Sequence, residues 1–345
     1  LGRKMSKSLG NSPDPIELIE KYGADGVRMG MLLASPAGND LPFDESYCEQ
    51  GRNFSNKIWN ALRLLKSQKV EDIPQSETSR LATEWFHAKI NSTLVLLEDD
   101  FSKYRLSEAL MRVYKFIWDD FCSWYLEMIK PAYQMPMDKT TYEQALDIME
   151  CLMKILHPFM PFVTEEIYHL IREKDDFIML AKMPEAEQCD ESLLKEFEFV
   201  QEFVSVIRTI RNEKNIAQKN ALEVYYTQSK NASIISKNAS IVSKLCNLQT
   251  LSVCEQKVEK AIAKMVGTME IFVPFADNIN KEEEIKKIMD EIKYFEGFKA
   301  SVEKKLSNES FVNKAPQKVV DIERKKLSDA EQKLLTLQEQ LNALQ

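Results

Sequence analysis

EQGRNFSNKIWNALRLL, residues 49–65, spaces its apolar side chains at the 3.6-residue period of an amphipathic helix. The residues on the predicted apolar face are Phe54, Ile58, Ala61, Leu62 and Leu65. Segments with the same period follow at about 78–101, 106–129, 140–156 and 163–172. Prolines stand between these segments, where they end helices rather than interrupt them. Long amphipathic helices joined by short links predict a helical bundle.

The composition is that of a folded, helix-rich protein. Of 345 residues, 44% are apolar and 29% are charged, which argues against disorder. The length predicts two to four domains. No apolar run is long enough to span a membrane, and no signal peptide follows Leu1. We therefore expect a cytoplasmic protein without membrane contact, and a processed or excised piece of a longer chain.

The cysteines and histidines give no sign of a metal site. The six cysteines lack the paired spacing of a zinc site. Each lies in a periodic apolar stretch, which predicts buried, reduced thiols. His87, His157 and His169 stand on predicted helices or at a helix end, and we interpret them as structural. No protein-bound metal is expected.

Three further parts flank the bundle. The first opens with a loop and continues as two helices, with Asp14 and Pro15 at the start of the first. The part after the bundle changes to a period of two and predicts a small α/β module. Its predicted elements are a helix at 191–215, a strand at 222–227, a helix at 232–246 and strands at 250–254 and 269–274. The chain is therefore predicted to be mainly α, with domains at 1–45, 46–190, 191–277 and 278–345.

The last of these parts carries two heptad helices. Core positions alternate three and four residues apart in Ile285, Ile288, Ile292, Phe295, Lys299, Val302 and Leu306, and again in Val320, Glu323, Leu327, Ala330, Leu334, Leu337, Leu341 and Leu344. The link between them is short and contains Pro316. This pattern predicts an antiparallel coiled-coil hairpin within one chain, and the alternative is a dimerisation arm between two chains.

KMSKS, residues 4–8, is the sharpest chemical motif of the chain. It places two ammonium groups and two hydroxyl groups on a loop flanked by Gly2 and Gly10. Such ammonium groups suit a triphosphate, because they can follow negative charge as it moves to a pyrophosphate leaving group. The loop is not a Walker A sequence. For the motif alone, a solvated lysine- and serine-rich terminus is the alternative.

The segment GRKMSKSLGN, followed by DP and YGADGVR, resembles the second signature of the class I aminoacyl-tRNA synthetases. In that family the loop binds the phosphates of ATP and stabilises the transition state in which the amino-acid carboxylate attacks the α-phosphorus. The resemblance implies that Lys7 is the main phosphate contact and that Lys4 supports it, so both are catalytic candidates. Ser6 and Ser8 would shape the ATP-binding loop, and Mg²⁺ would accompany the ATP as its counter-ion.

Later segments resemble the valyl-tRNA synthetases within this family. PAGNDLPFDE and EQGRNFSNKIWNA fit the isoleucine and leucine enzymes less well. LHPFMPFVTEEIYHLI resembles the end of the anticodon-binding bundle that all three share, and LSNESFV-NKAP-VV-ERKKL resembles the C-terminal arm of the valine enzymes. The first signature, of the HIGH type, and the editing insertion are missing. The resemblance therefore implies the C-terminal part of a valine–tRNA ligase, with a stem-contact region at 1–45, that does not activate valine by itself.

The same resemblance implies tRNA(Val) as the partner, with ATP and valine bound through the missing part, and a monomer. The bundle would then read an unpaired loop of RNA. The polar candidates on or just after the first bundle helix are Arg52, Asn53, Lys57, Arg63 and Lys66. For the tryptophans, burial is favoured over base stacking.

The arm offers a second predicted RNA contact. Residues 299–326 hold 8 basic and 4 acidic residues although the whole chain carries a net charge of −8. The basic residues around the hairpin tip are Lys299, Lys304, Lys305, Lys314, Lys318, Arg324, Lys325 and Lys326. Contacts from such a cluster to phosphates would be sensitive to salt and independent of sequence. The alternative is that these residues only keep a coiled coil soluble.

Two other functions stay open at this point. One is a stand-alone RNA-binding coiled-coil module, which would have no need of a triphosphate loop. The other is the equivalent part of an isoleucine or leucine enzyme, against which the heptad arm argues.

Overall fold

The structure is a computed structural model. It describes residues 5, 6, 9, 12–35, 43–274 and 281–307, together with positions 322, 324, 327, 330, 334, 338 and 341, and it places no side chain for 281–288 and 291. The chain divides into two compact units, Leu1–Gln201 with Ser236–Leu245, and Glu202–Ile235 with Cys246–Gln345. The described residues are mainly helical, which confirms the predicted class.

Two short helices precede the bundle. Helix α1, Pro15–Tyr22, begins as predicted, with Asp14 Oδ1 accepting a hydrogen bond from the Ile16 nitrogen at 2.8 Å. Gly23 ends it with a φ of 77°, a conformation that suits glycine. Helix α2, Ala24–Leu33, follows directly.

Glycines set the contact between α2 and the first bundle helix, α3, Glu45–Lys66. A Cβ atom on Gly30 would lie 2.6 Å from Cys48 Sγ, and one on Gly51 would lie 2.7 Å from the Gly26 carbonyl oxygen. The two backbones therefore approach so closely that no side chain fits between them.

The predicted bundle helices are confirmed, except that the one predicted at 106–129 is α-helical only in its first and last parts. They are α4, Glu77–Ser102; α5, Leu106–Lys115; α6, Leu126–Ile129; α7, Lys139–Leu156; and α8, Pro161–Ile171. Ser76 and Asp138 cap α4 and α7 by accepting hydrogen bonds from the backbone three residues on. A 3-10 turn at Ile178–Leu180 follows α8.

The segment predicted as one α-helix at 106–129 is interrupted by a π-helix, Phe116–Tyr125. Its rings surround Phe86 of α4: the centroid distances are 5.2 Å to Phe116, 5.6 Å to Phe121 and 4.9 Å to Tyr125. In an α-helix, residues five apart lie about 140° apart around the axis, so Phe116 and Phe121 would not share a face. The wider turn lets all three rings pack on Phe86.

The bundle has two distinct ends. At the end that we call distal, β1, Val70–Glu71, pairs in parallel with β2, Met137–Asp138. This pairing joins the loop after α3 to the loop after α6. At the opposite, proximal end, the ring of Phe101 stacks on Phe159 at 5.9 Å, next to the loops that follow α4 and α7.

Helix α9, Glu191–Glu213, continues from the first unit into the second. The sheet of the second unit has the order β4-β3-β6-β5, with β3 and β4 parallel and the other pairs antiparallel. Its strands are β3, Leu222–Thr227; β4, Leu248–Cys254; β5, Ala261–Val266; and β6, Met269–Pro274.

Two sequence predictions for this part were wrong in detail. Strand β5 was not predicted, because two of its six residues are alanine, a weak strand former. The helix predicted at 232–246 is two helices, α10, Ala232–Lys237, and α11, Ala239–Cys246, which are separated by the buried Asn238. Asparagine favours helix starts over helix interiors.

A buried arginine ties this module together. Arg211 of α9 is 1% exposed, and its guanidinium donates to the carbonyl oxygens of Ala217 at 3.0 Å and Cys246 at 2.7 Å. It also donates to the carbonyl oxygens of Asn220 at 2.9 Å and Asn247 at 3.2 Å. One side chain thus holds the end of α9, the following loop and the end of α11.

The predicted heptads agree with the burial of the arm. In α12, Lys281–Leu306, the side chains described from Met289 onward are exposed except at the predicted core positions. Val302 and Ala330, one from each predicted heptad, are each 2% exposed within a single chain. That burial favours a hairpin within the chain over an arm that must pair with another chain. Among the described helices, none has the length and hydrophobicity needed to cross a membrane.

Candidate nucleic-acid interface

Only part of the signature loop lies in the described residues. Ser6 is half-buried, and its carbonyl oxygen accepts a hydrogen bond from the Leu9 nitrogen at 3.1 Å. Lys4, Lys7 and Ser8 lie outside the described residues. The predicted roles of all four therefore stay predictions.

A polar joint fixes α2 to the proximal end of the bundle. Asp25 Oδ2 accepts a hydrogen bond from the Val163 nitrogen at 2.6 Å, and its Oδ1 accepts one from the Phe162 nitrogen at 3.3 Å. Arg28 donates from Nε to the Phe159 carbonyl oxygen and from Nη2 to the Pro158 carbonyl oxygen, both at 3.2 Å. The two segments that suggested the family, YGADGVR and LHPFMPF, thus bind each other.

Burial controls the charges at this joint. It raises the pKa of Asp25, and the two backbone hydrogen bonds oppose that change. Burial likewise lowers the pKa of His157, whose Nδ1 lies 2.7 Å from Thr164 Oγ1. These contacts support the structural interpretation of His157. The sequence did not predict the hydrogen-bond partners of Asp25 and Arg28. The two charged residues in a glycine-rich motif were the only signal that these positions have specific contacts.

The predicted RNA contacts on α3 do not form one surface. Arg52 donates to Glu49 at 3.1 Å, and Lys57 Nζ lies 5.2 Å from the ring centre of Trp118. Asn53 and Arg63 are exposed, and Lys66 donates to the Ile171 carbonyl oxygen at 3.2 Å. The 11 residue steps from Arg52 to Arg63 span about 16 Å of helix. Arg63 and Lys66 therefore belong to the distal end, apart from the other three.

The tryptophans agree with the preference for burial to different degrees. Trp85 is buried and stacks on Phe197 with ring centres 4.2 Å apart. Trp59, Trp118 and Trp124 are half-buried.

The described part of the arm tip is cationic and exposed. Lys304 and Lys305 are exposed in the last turn of α12, and Arg324 is exposed on the second heptad helix. Lys299 is half-buried at its core position, with Nζ 3.7 Å from Glu303. Lys314, Lys318, Lys325 and Lys326 lie outside the described residues.

The thiols are less buried than predicted. Cys48, Cys122 and Cys246 are buried, whereas Cys151, Cys189 and Cys254 are half-buried. Burial raises the pKa of Cys151 to about 11 and those of Cys122 and Cys246 to about 12, so these thiols stay protonated at neutral pH. Within the described ranges, no three His, Cys, Asp or Glu side chains are grouped to hold a metal ion.

Three known families match successive parts of the chain. Residues 1–44 match "tRNA synthetases class I (I, L, M and V)", and 83–226 match "Anticodon-binding domain of tRNA ligase". Residues 280–345 match "Valyl tRNA synthetase tRNA binding arm".

Whole-chain relatives agree with these matches. The valine–tRNA ligases of Phocaeicola vulgatus and Parabacteroides distasonis are 55% and 53% identical over the whole chain. Over its whole length, the chain matches the C-terminal part of the valine–tRNA ligases. The valine–tRNA ligase of Fusobacterium nucleatum is 36% identical over the whole chain. The chain spans about 39% of the length of the first two relatives, in their C-terminal part, and 41% of the third.

One solved structure is similar at a lower level. It is the ternary complex of a leucyl-tRNA synthetase from Agrobacterium radiobacter K84 with tRNA and LeuAMS. The similarity covers 66% of this chain and 24% of that one, with 18% identity and a TM-score of 0.40.

The match of the arm to the valyl family and the whole-chain relatives favour the valine–tRNA ligases over the alternative of an isoleucine or leucine enzyme.

Proposed function

We propose that this chain is the tRNA-binding part of an enzyme that activates valine with ATP and transfers it to tRNA(Val). The observation that carries the proposal is the identity of 55% to a valine–tRNA ligase over the whole chain. The order of the three family matches, from signature loop to bundle to arm, supports it.

In this proposal, Lys7 and Lys4 neutralise the phosphates of Mg²⁺-ATP, while Ser6 and Ser8 shape the loop that carries them. Their positive charges would then stabilise the negative charge that develops on the pyrophosphate leaving group, and no covalent enzyme intermediate would be needed. The joint of Asp25 and Arg28 holds the helices that follow this loop against the bundle. We further propose that the protein acts in the cytoplasm as a monomer.

RNA contact is assigned to two surfaces. The bundle would read the unpaired anticodon loop, and the arm would contact phosphates through the cations at its tip. Arg52, Asn53, Lys57, Arg63 and Lys66 remain the proposed bundle contacts, and the basic residues of 299–326 remain the proposed arm contacts.

The test is the affinity of this chain for a valine tRNA transcript and for the same transcript with a replaced anticodon, at two salt concentrations. Tighter, salt-dependent binding to the valine anticodon is expected. Absence of binding to both transcripts overturns the proposal. Incubated with valine and ATP, this chain alone should form no adenylate, because the first signature is missing, and adenylate formation would contradict that part of the proposal.

A further inference from the structure

The side chain of Tyr133 is exposed to solvent at the distal end of the bundle. It is 90% exposed, the highest value among the large apolar and aromatic side chains that the structure describes. Covering the face of an aromatic ring lowers the free energy, so such exposure marks a surface to which a partner can bind.

The loop that carries Tyr133 is held in place. Pro131 and Pro136 flank it, and the Met135 nitrogen donates to the Ala132 carbonyl oxygen at 2.9 Å. Gln134 adopts a φ of 63°, in the left-handed region. The Met137 nitrogen then donates to the Lys69 carbonyl oxygen at 2.8 Å, which joins this loop to the one after α3. The ring is therefore presented by an ordered backbone, and little entropy remains to be lost on binding.

Cations stand at the same end. We define the distal patch as Arg63, Lys66, Lys69, Lys130, Tyr133 and Met135, all of which are exposed. Acidic neighbours moderate the charge, since Lys69 pairs with Glu71 at 2.6 Å and Lys130 with Glu127 at 4.0 Å. The chain as a whole carries a net charge of −8, so general attraction for RNA is weak and an aromatic contact has more effect.

The chemistry of the patch favours single-stranded RNA. Unpaired bases stack on exposed aromatic rings, and nearby lysine and arginine side chains neutralise the flanking phosphates. In a duplex the bases already stack on one another, so a protruding ring gains little. Tyr133 also lies in 83–226, the part that matches an anticodon-binding domain.

We propose that Tyr133 is a stacking platform for one unpaired base of the anticodon loop, and that the cations of the distal patch hold the phosphates beside it. This inference rests on the proposed function and adds to it a site and a contact residue. Two of the predicted RNA contacts on α3, Arg63 and Lys66, belong to this site.

The test uses an anticodon stem-loop RNA with a valine anticodon, a fully paired RNA of the same length, and the full 345-residue chain. Tyr133→Asn should weaken binding of the stem-loop by about tenfold, the effect expected for loss of one base–aromatic stack. Tyr133→Phe and Tyr133→Trp keep the ring face and should bind within about twofold of the unsubstituted chain. Binding of the paired RNA should not change.

Tyr104 provides the matched control. It is 84% exposed and lies in the loop between α4 and α5, at the proximal end. Its φ of 58° is one that asparagine tolerates, so Tyr104→Asn removes a similarly exposed ring without strain. Thermal unfolding of both variants checks that they fold.

The outcomes separate this inference from the function on which it rests. If the unsubstituted chain binds neither stem-loop nor tRNA, the proposed function fails and the inference fails with it. If the chain binds the stem-loop but Tyr133→Asn binds equally well, or if Tyr104→Asn weakens binding as much, only the inference is overturned. If Tyr133→Asn instead weakens self-association and leaves RNA affinity unchanged, the patch is a protein interface and the inference is overturned.

Discussion

Asp25 caps a helix that starts 136 positions after it in the chain. The Val163 nitrogen near the start of α8 donates to Asp25 Oδ2 at 2.6 Å, and α8 has no side-chain cap of its own. A carboxylate at a helix N-terminus satisfies free backbone donors and complements the helix dipole. Here that carboxylate comes from α2, so the cap also attaches α2 to the bundle.

Replacing this cap should destabilise the protein. Asp25→Ala leaves two partly buried backbone donors without their acceptor, and we expect it to lower the free energy of unfolding by about 1–3 kcal/mol. Asp44→Ala is the control, because Asp44 caps α3 at an exposed position, where loss costs about 1 kcal/mol. Urea unfolding followed by circular dichroism measures both. Equal effects would show that Asp25 acts only as an ordinary cap.

The raised pKa of Asp25 makes its contribution dependent on pH. Because burial raises the pKa in the folded state above that of the unfolded chain, the folded state binds the proton more tightly. The resulting stability is fully present below the unfolded pKa of about 3.9 and is lost as the pH rises through the folded pKa. The free energy of unfolding of the unsubstituted chain, minus that of Asp25→Asn, should therefore fall over this range. A difference independent of pH would contradict the raised pKa.

The glycine contact between α2 and α3 should reject even a methyl group. A Cβ on Gly51 would meet the Gly26 oxygen at 2.7 Å and its Cα at 2.9 Å, so the backbones must separate. We expect Gly51→Ala to cost about 1–3 kcal/mol. Gly297→Ala is the control: no atom lies within 4 Å of its Cβ position in α12, and alanine there should stabilise by about 0.5–1 kcal/mol. Thermal unfolding distinguishes the opposite signs.

Arg211 should hold its module closed. Arg211→Met leaves four carbonyl oxygens without this donor, and the loss of each buried partner costs about 1–3 kcal/mol. Alkylation of Cys246, whose pKa burial raises to about 12, reports opening of the module. Arg211→Met should speed that alkylation, and Arg211→Lys should restore the protection only in part. Cys122, which is also buried and lies in the other unit, is the internal reference, and equal acceleration there would mean global unfolding instead.

Charge reversal at the arm tip should change the salt dependence of tRNA binding. Lys304→Glu with Lys305→Glu removes two exposed cations and adds two anions. Weaker tRNA affinity and a flatter slope of log affinity against log salt are expected, by about 0.7–0.9 per lost phosphate contact. Lys293→Glu, an exposed position earlier in α12, is the control and should have a smaller effect. An unchanged slope would leave the tip without a role in phosphate binding.

The sequence predicted the helices well because the 3.6-residue period and the proline borders are local signals. It did not predict the π-helix, because the five-residue spacing of Phe116 and Phe121 makes sense only once Phe86 is seen between the rings. The joint of Asp25 was not predictable because its partner is 138 positions away. The exposure of Tyr133 was also not predictable, because the local sequence does not show whether a tyrosine in a proline-flanked loop is buried or exposed.

Because the helices of the bundle make contacts at both of its ends, their lengths must match. The 22 residues of α3 span about 33 Å between the joint with α2 and the distal loops. One extra turn in α3 alone would shift Val70 by about 5.4 Å from its partner Met137. In the evolution of this family, insertions that lengthen one bundle helix should therefore occur together with insertions in its neighbours, so that the distance between the ends is inherited as a unit.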